Sequence, residues 1–133
     1  MGDINGVAVD CARYNGLLNH IDIKVEKSDL FEAFSEQKFD VILFNTPYWH
    51  KDIENNLEIL ACDPNGVVFS KFISETEKHL NPNGYAIFTY SNLSDEATFH
   101  KSLEKTPFSY KVIGREQDEN TKVIRWLIKM KIK

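Results

Sequence analysis

Cysteine is scarce in this chain, which has only two among its 133 residues, Cys11 and Cys62. Two thiols make at most one disulfide, and neither cysteine has a second ligand at the short spacing of a metal site. The histidines are scattered and show no paired metal-ligand spacing either. They are His20, His50, His79 and His100. The sequence therefore predicts reduced thiols, no disulfide framework and no bound metal.

Long hydrophobic runs are absent as well. The longest apolar stretches, such as Val41–Phe44 and Trp126–Ile128, have the length of a strand and fall far short of a membrane span. The N-terminus shows no succession of basic, apolar and small residues that would resemble a secretory leader. We therefore expect a cytoplasmic protein with no membrane partner.

Positive charge is not in excess. The formal net charge of −4 argues against a protein that holds nucleic acid mainly by neutralising phosphates, and local contact with RNA or DNA stays open. Hydrophobic residues make up 42% and charged residues 27% of the chain, which is typical of a globular protein. The length suits one domain, and no repeat, low-complexity tract or linker interrupts it. We expect residues 1–133 to form a single domain.

The first half of the chain contains helical and strand patterns in turn. Apolar residues recur every three or four positions over Val7–Asn19, which predicts a helix that Asn5 can cap. Ile21–Glu26 alternates strictly between apolar and polar residues, as a strand with one buried face does. Val41–Phe44 is an unbroken apolar run, which is typical of a parallel strand covered on both faces. A short helix is predicted over Lys51–Ala61.

The second half continues the alternation of helices and strands. The predicted elements are an amphipathic helix over Val68–Leu80, a turn at Asn81–Gly84, a strand at Tyr85–Tyr90, a helix with Phe99 and Leu103 on one face, and strands at Tyr110–Ile113 and Val123–Ile132. A polar connection between the last two strands predicts a hairpin. This order predicts an α/β protein with a mostly parallel sheet and a C-terminal antiparallel hairpin.

The motif with chemical content is Asn45-Thr46-Pro47-Tyr48, directly after Val41–Phe44. It resembles the (Asn/Asp/Ser)-Pro-Pro-(Tyr/Phe/Trp) signature of class I, S-adenosylmethionine-dependent N-methyltransferases, which follows the fourth strand of their Rossmann-like sheet. The resemblance implies that fold, S-adenosyl-L-methionine as the cofactor, and methyl transfer to a planar nitrogen. In that family the acceptor is a protein glutamine amide, as in peptide release factors, or an exocyclic amine of a nucleobase in RNA or DNA. Ligands of open α/β sheets bind at the carboxyl ends of the strands, where this motif is predicted to lie.

The residue types of the motif suit this chemistry. The lone pair of an amide or aniline-like nitrogen is delocalised, so the nitrogen must be held in line with the methyl group and drawn toward tetrahedral geometry. By the family pattern, the Asn45 side-chain oxygen and the Thr46 carbonyl oxygen accept its two N–H bonds, and Tyr48 stacks on its plane. Thr46 stands where the family usually has proline, but it keeps the carbonyl group, and Pro47 confines it to extended dihedrals. The predicted catalytic residues are Asn45, Thr46, Pro47 and Tyr48.

Two acidic positions extend the resemblance. Asp3-Ile4 resembles the end of the family's second strand, where an acidic side chain accepts hydrogen bonds from the ribose of the cofactor. Asp29-Leu30 resembles the loop after the third strand, with the aspartate at the adenine amine and the leucine on the ring. The resemblance therefore implies cofactor binding by Asp3, Ile4, Asp29 and Leu30, together with Asn45. Taken singly, each carboxylate reads as an ordinary cap or turn residue.

A Gly-x-Gly loop is also lacking, because the glycines at 2, 6, 16, 66, 84 and 114 form no such pair. The family's first strand and its Asp-x-Gly-x-Gly loop belong before Asp3, so the resemblance implies an N-terminally incomplete domain of about three-quarters of the family's length. We expect weak or no cofactor binding by this chain, and self-association through an exposed sheet edge at Val41–Phe44. The alternative function is an inactive methyltransferase-like fragment that acts as an oligomerising or partner-binding module.

Overall fold

The computed structural model describes residues 1–55, 58–104 and 106–133. The chain divides into two compact units, Met1–Gln37 and Lys38–Lys133. The first unit contains a two-stranded sheet and the second a four-stranded sheet. Within the described residues, no helix is long and apolar enough to cross a membrane. The expectation of a single domain over residues 1–133 stays a prediction.

The first unit is built from one helix and two short parallel strands. Its elements are β1 (Gly2–Asp3), α1 (Gly6–Leu18), β2 (Glu26–Lys27) and a 3₁₀ turn at Glu32–Phe34. The predicted first helix is confirmed, and its cap is the predicted one. The Asn5 side-chain oxygen accepts a hydrogen bond from the Val7 N–H at 2.9 Å, which satisfies one of the free donors at the start of the helix.

The strand predicted at Ile21–Glu26 is wrong for most of its length. Pairing is confined to β2, which lies beside β1, and β1 offers only two residues to take backbone hydrogen bonds. Val25 is buried, but Ile21 is largely exposed. Ile23 packs on α1 at Gly16, where an added Cβ would lie 2.6 Å from its Cγ2. Alternation alone therefore does not make this segment a strand.

The second unit contains a mixed sheet with two helices. Its elements are β3 (Phe39–Phe44), α2 (Val67–Thr76), β4 (Leu80–Ser91), α3 (Glu96–Glu104), β5 (Phe108–Gln117) and β6 (Ile124–Ile132), with 3₁₀ turns at Glu58–Leu60, Pro64–Gly66 and Glu77–His79. The strand order is β3-β4-β6-β5. β3 and β4 are parallel, whereas β6 is antiparallel to both β4 and β5. The predicted α/β class and C-terminal hairpin are confirmed, in a sheet that is mixed rather than mostly parallel.

Aromatic side chains join the two helices to one face of this sheet. Phe72 of α2 is only 1% exposed, and its ring centroid lies 4.7 Å from that of Phe44 and 5.9 Å from that of Phe88. Phe99 of α3 lies 4.3 Å from Tyr90 by the same measure. The predicted amphipathic helices are thus confirmed, because their apolar residues form the core on this face.

The prediction that Val41–Phe44 is covered on both faces is wrong within this unit. Ile42 is buried, but Leu43 is 74% exposed and Val41 is 42% exposed. Side chains alternate across a strand, and α2 packs on the face that carries Phe44. β3 lies at one end of the four-stranded sheet and is therefore an edge strand. Its outer face carries the exposed apolar side chains of Val41 and Leu43. Self-association through this edge stays a prediction.

The helix predicted at Lys51–Ala61 is also wrong in the part of the segment that the structure describes, where a single 3₁₀ turn forms. Leu57, one of the residues behind that prediction, lies outside the described residues. Polar contacts organise the rest of the segment. The Glu58 carboxylate accepts hydrogen bonds from Lys51 Nζ at 2.9 Å and from the Glu54 N–H at 2.8 Å. These bonds hold the segment as a loop.

The predicted turn at Asn81–Gly84 is a bulge inside β4, where the register between β3 and β4 shifts. The bulge requires a glycine because three carbonyl groups surround the Gly84 Cα. A Cβ added at this position would lie 2.9 to 3.1 Å from the carbonyl oxygens of Phe39, Asn81 and Asp40. Close backbone approach, rather than a special dihedral angle, explains the glycine.

Candidate active site

The turn formed by residues 45–48 begins where β3 ends. Asn45 is exposed, Thr46 is only 3% exposed, and Pro47 and Tyr48 are half-buried. The turn therefore joins a solvent-facing amide to a buried anchor. It lies at the carboxyl end of the parallel pair β3–β4, which is where ligands bind in open α/β sheets.

Thr89, on β4, holds this turn in place. The Thr46 N–H donates a hydrogen bond to Thr89 Oγ1 at 3.0 Å, and the Thr46 hydroxyl donates to the Thr89 carbonyl oxygen. The Thr89 hydroxyl donates in turn to Asn45 Oδ1 at 3.0 Å. These bonds give the Thr46 side chain an anchoring role that proline, with neither a hydroxyl nor an N–H, cannot perform.

Two oxygen atoms of the turn can still accept hydrogen bonds. Asn45 Oδ1 accepts one bond from Thr89, and a carboxamide oxygen has a second lone pair. No group among the described residues donates to the Thr46 carbonyl oxygen. The Asn45 and Thr46 oxygens are the two acceptors that the family resemblance implies for the N–H bonds of a planar nitrogen.

Hydrogen bonds hold both the backbone N–H and the side-chain hydroxyl of Tyr48. Its N–H donates to the Ala61 carbonyl oxygen at 3.0 Å, and its hydroxyl accepts a hydrogen bond from Arg125 Nε at 3.1 Å. The Arg125 guanidinium carbon also lies 6.0 Å from the centre of the Tyr48 ring, which is within range of a cation–π contact. Sequence reasoning missed this contact of Arg125. No motif marks it, because 77 residues separate it from Tyr48.

A small cleft lies beside the turn, with Thr46, Pro47 and Tyr48 in its wall. Asp63 also lines the cleft, although it is only 4% exposed. Its two carboxylate oxygens accept hydrogen bonds from the Val68 and Phe69 N–H groups, each at 2.9 Å. This carboxylate therefore caps the start of α2 and is occupied by structural bonds.

Tyr90 and Asp95 complete the polar wall of the cleft. Burial raises the pKa of Tyr90 to about 12, and the nearby Glu96 and Asp95 carboxylates add to the effect, so the phenol keeps its proton well into the alkaline range. The hydrogen bond from the Thr98 hydroxyl lowers the pKa of Asp95. No cluster of three His, Cys, Asp or Glu side chains that could hold a metal ion occurs in the described part of the chain.

The predicted cofactor residues of the first unit lie near one another. Asp3 ends β1, and Asp29-Leu30 follows β2. The Ser28 N–H donates to the Asp3 carbonyl oxygen at 2.9 Å, and the Ser28 hydroxyl to the carbonyl of Leu30, also at 2.9 Å. Asp3, Asp29 and Leu30 are half-buried, whereas Ile4 is exposed. The carboxyl ends of two neighbouring parallel strands thus bring both acidic positions together.

Comparison with known proteins identifies related sequences. The family model of the methyltransferase small domain matches residues 1–117. A protein of Methanocaldococcus jannaschii named as a protein N5-glutamine methyltransferase is 32% identical over 119 residues, which cover 85% of this chain and 60% of that protein. A release factor glutamine methyltransferase of Streptococcus pneumoniae is 30% identical over 119 residues, which cover 88% of this chain and 37% of that enzyme. The chain thus spans less than two-thirds of the length of these relatives.

A solved structure shows the same fold. A methyltransferase of Pyrococcus furiosus superimposes with a TM-score of 0.68 at 23% sequence identity, and the match covers 99% of this chain and 61% of that one. At this identity the likeness concerns the fold alone. The α/β, Rossmann-like class I fold that the resemblance implies is confirmed.

Proposed function

Because the chain belongs to the methyltransferase small domain family, we propose that it takes part in methyl transfer from S-adenosyl-L-methionine to a planar nitrogen. The observation that carries this proposal is the turn at the carboxyl end of β3. There the Asn45 Oδ1 and Thr46 carbonyl oxygens can each accept a further hydrogen bond, and the Tyr48 ring lies in the wall of the adjoining cleft. The comparisons lend no support to the alternative of an inactive module.

The turn contributes orientation and electrostatics to this reaction. When bound, S-adenosylmethionine supplies an electrophilic methyl group. By accepting both N–H bonds of the target, Asn45 and Thr46 turn the nitrogen lone pair out of conjugation and toward that methyl group. Stacking on Tyr48 holds the plane of the target and contributes about 0.5–1.5 kcal/mol. The target nitrogen would gain the methyl group as the sulfur–methyl bond of the cofactor breaks, the sulfur would leave as the neutral thioether, and the nitrogen would release one proton to solvent.

The first unit offers groups that suit a nucleoside. Asp3 Oδ1 accepts a hydrogen bond from the Asn5 N–H at 2.8 Å, and the remaining lone pairs of the carboxylate can accept from two ribose hydroxyls. Leu30 presents an apolar side chain for an adenine ring, and the neighbouring Asp29 carboxylate can accept from its exocyclic amine. In this proposal these residues, with Ile4, hold the cofactor. Weak cofactor binding by the 133-residue chain stays our expectation.

The methyl acceptor in this proposal is a protein glutamine amide. The two relatives described above bear names of glutamine methyltransferases. The net charge of −4 also suits a protein acceptor better than an extended polyanion. An exocyclic amine of an RNA or DNA base is the second candidate, because the same acceptor pair would hold it. Incubation with labelled S-adenosylmethionine, a release factor and ribosomal RNA would show which one takes up the methyl group.

Asn45→Ala tests the proposed function in a protein that carries this chain together with a complete cofactor site. Loss of one acceptor that acts on the reacting nitrogen should lower kcat by at least about 100-fold. Cofactor affinity, measured by isothermal titration, should stay within about twofold of the parent protein. Asn120→Ala is the matched control, because Asn120 is an exposed asparagine in the connection between β5 and β6. Full activity of the Asn45→Ala protein would remove Asn45 from the mechanism and contradict the proposal.

A further inference from the structure

We propose that Thr89 is a positioning residue that sets the orientation of the Asn45 side-chain amide. This inference rests on the proposed function, in which Asn45 Oδ1 accepts an N–H bond of the target. Thr89 lies on β4, one residue beyond Phe88, which pairs with Phe44 at the end of β3. The parallel register therefore brings Thr89 beside Asn45, although 44 residues separate them.

The hydrogen bonds around Thr89 favour donation by its hydroxyl to Asn45. Thr89 Oγ1 accepts the Thr46 N–H at 3.0 Å. The hydroxyl proton of Thr46 goes to the Thr89 carbonyl oxygen, so it does not bond to Thr89 Oγ1, which lies 3.2 Å from Thr46 Oγ1. The single proton of the Thr89 hydroxyl then has two acceptors within reach, Asn45 Oδ1 at 3.0 Å and Thr46 Oγ1 at 3.2 Å, and Asn45 Oδ1 is the nearer of the two.

This arrangement selects one of the two orientations of the Asn45 amide. An exposed carboxamide can turn its oxygen or its NH₂ group toward a neighbour at similar free energy. A hydroxyl that donates favours the oxygen on its own side, because an NH₂ group cannot accept that proton. The Asn45 oxygen is then held at a fixed place, and its second lone pair serves the target nitrogen. Preorganised acceptors are more effective than ones that must reorient during the reaction.

The same contacts account for threonine at the second motif position, where the related signature usually has proline. A proline would restrict φ at this position, but it would remove the N–H that Thr89 Oγ1 accepts. Thr46 is 3% exposed and bonds to both the hydroxyl and the carbonyl group of Thr89. The Thr46–Thr89 pair therefore supplies, across two strands, the restraint that a second proline would supply within the turn.

Thr89→Val and Thr89→Ser test the inference with two readouts. Valine keeps the shape of the side chain and removes the hydroxyl, whereas serine keeps the hydroxyl. In Thr89→Val, the Asn45 side-chain amide signals in a ¹⁵N-correlated NMR spectrum should move toward those of a free asparagine. The kcat should fall by about 10- to 100-fold, as for a misplaced catalytic group, with the KM for the acceptor within about twofold. Thr89→Ser should restore both the amide signals and kcat.

Thr76→Val is the matched control, because Thr76 is a buried threonine of α2 whose hydroxyl donates to the Phe72 carbonyl oxygen at 2.7 Å. It should lower the thermal midpoint without moving the Asn45 signals or kcat. Unchanged Asn45 signals in Thr89→Val would overturn the inference, as would a loss of turnover that Thr89→Ser fails to restore. If Asn45→Ala keeps full activity, the proposed function fails, and the NMR signals alone still decide whether Thr89 orients Asn45.

Discussion

Thr46→Pro would give the turn the residue that the related signature usually carries, and we expect it to destabilise the second unit. The substitution removes two hydrogen bonds at a site that is 3% exposed, from the Thr46 N–H to Thr89 Oγ1 and from the Thr46 hydroxyl to the Thr89 carbonyl oxygen. Each such bond contributes about 0.5–1.5 kcal/mol net, so their loss costs about 1–3 kcal/mol. Proline returns about 0.4–1 kcal/mol by restricting the unfolded chain. The midpoints of these two ranges, about 2 and about 0.7 kcal/mol, give an expected fall in the free energy of unfolding of about 1.3 kcal/mol.

Urea unfolding followed by circular dichroism measures this difference. Thr46→Val separates the two contributions, because it removes the hydroxyl and keeps the N–H, and it should cost about 1 kcal/mol. The proline variant should thus be the less stable of the two. A Thr46→Pro protein as stable as the parent would refute the reasoning, because it would show that the bonds to Thr89 add nothing to the stability of the turn.

Two further predictions concern the surroundings of the site. Phe72→Ala should lower the free energy of unfolding, measured by urea unfolding, by about 3–5 kcal/mol, because Phe72 is buried. Val67→Ala, at an exposed position of the same helix, is the control and should change it by less than about 0.5 kcal/mol. Comparable losses in the two variants would contradict the packing described for α2. Thr98→Val should raise the pKa of Asp95, as measured by NMR titration of its carboxyl carbon, because the Thr98 hydroxyl is the largest cause of its lowered pKa. The ionised Asp95 stabilises the fold above its unfolded-state pKa, and this stabilisation is lost as the pH falls through its folded-state pKa. Thr98→Val should therefore lose the stabilisation at a less acidic pH than the parent protein. An unmoved titration curve of Asp95 would exclude Thr98 as the cause of its lowered pKa.

The candidate turn could be predicted because its information is local. An apolar run predicts a strand, and the residues that follow it must lie at the end of that strand, so the exposed Asn45 and the half-buried Tyr48 are where the pattern indicates. The partners of the turn could not be predicted. Thr89 and Arg125 reach it only through the register of β4 with β3 and with β6, and register depends on pairings that a single sequence does not reveal.

The wrong predictions share a different cause. The segment Ile21–Glu26 has the period of a strand, but it lies beside only two residues of a partner, and Ile23 packs on α1 at Gly16 instead. At Lys51–Ala61, side-chain bonds of Glu58 to Lys51 and to the backbone replace the bonds that a helix would form. In both cases the spacing of apolar residues was less decisive than specific contacts, which the first segment makes with α1 and the second makes within itself.

The bulge at Gly84 links the stability of the sheet to the placement of the turn. Any side chain at this position would push apart the first residues of β3 and the strand beside it, since its Cβ would lie 2.9 Å from the carbonyl oxygen of Phe39 and 3.1 Å from that of Asp40, which is closer than a Cβ normally approaches. Strands are stiff, and a slip of one residue in their pairing would turn Asn45 to the opposite face. A substitution at Gly84, beside the first residues of β3 and far from any reacting group, would therefore abolish the activity of an enzyme that uses this turn, although every catalytic side chain would still be present.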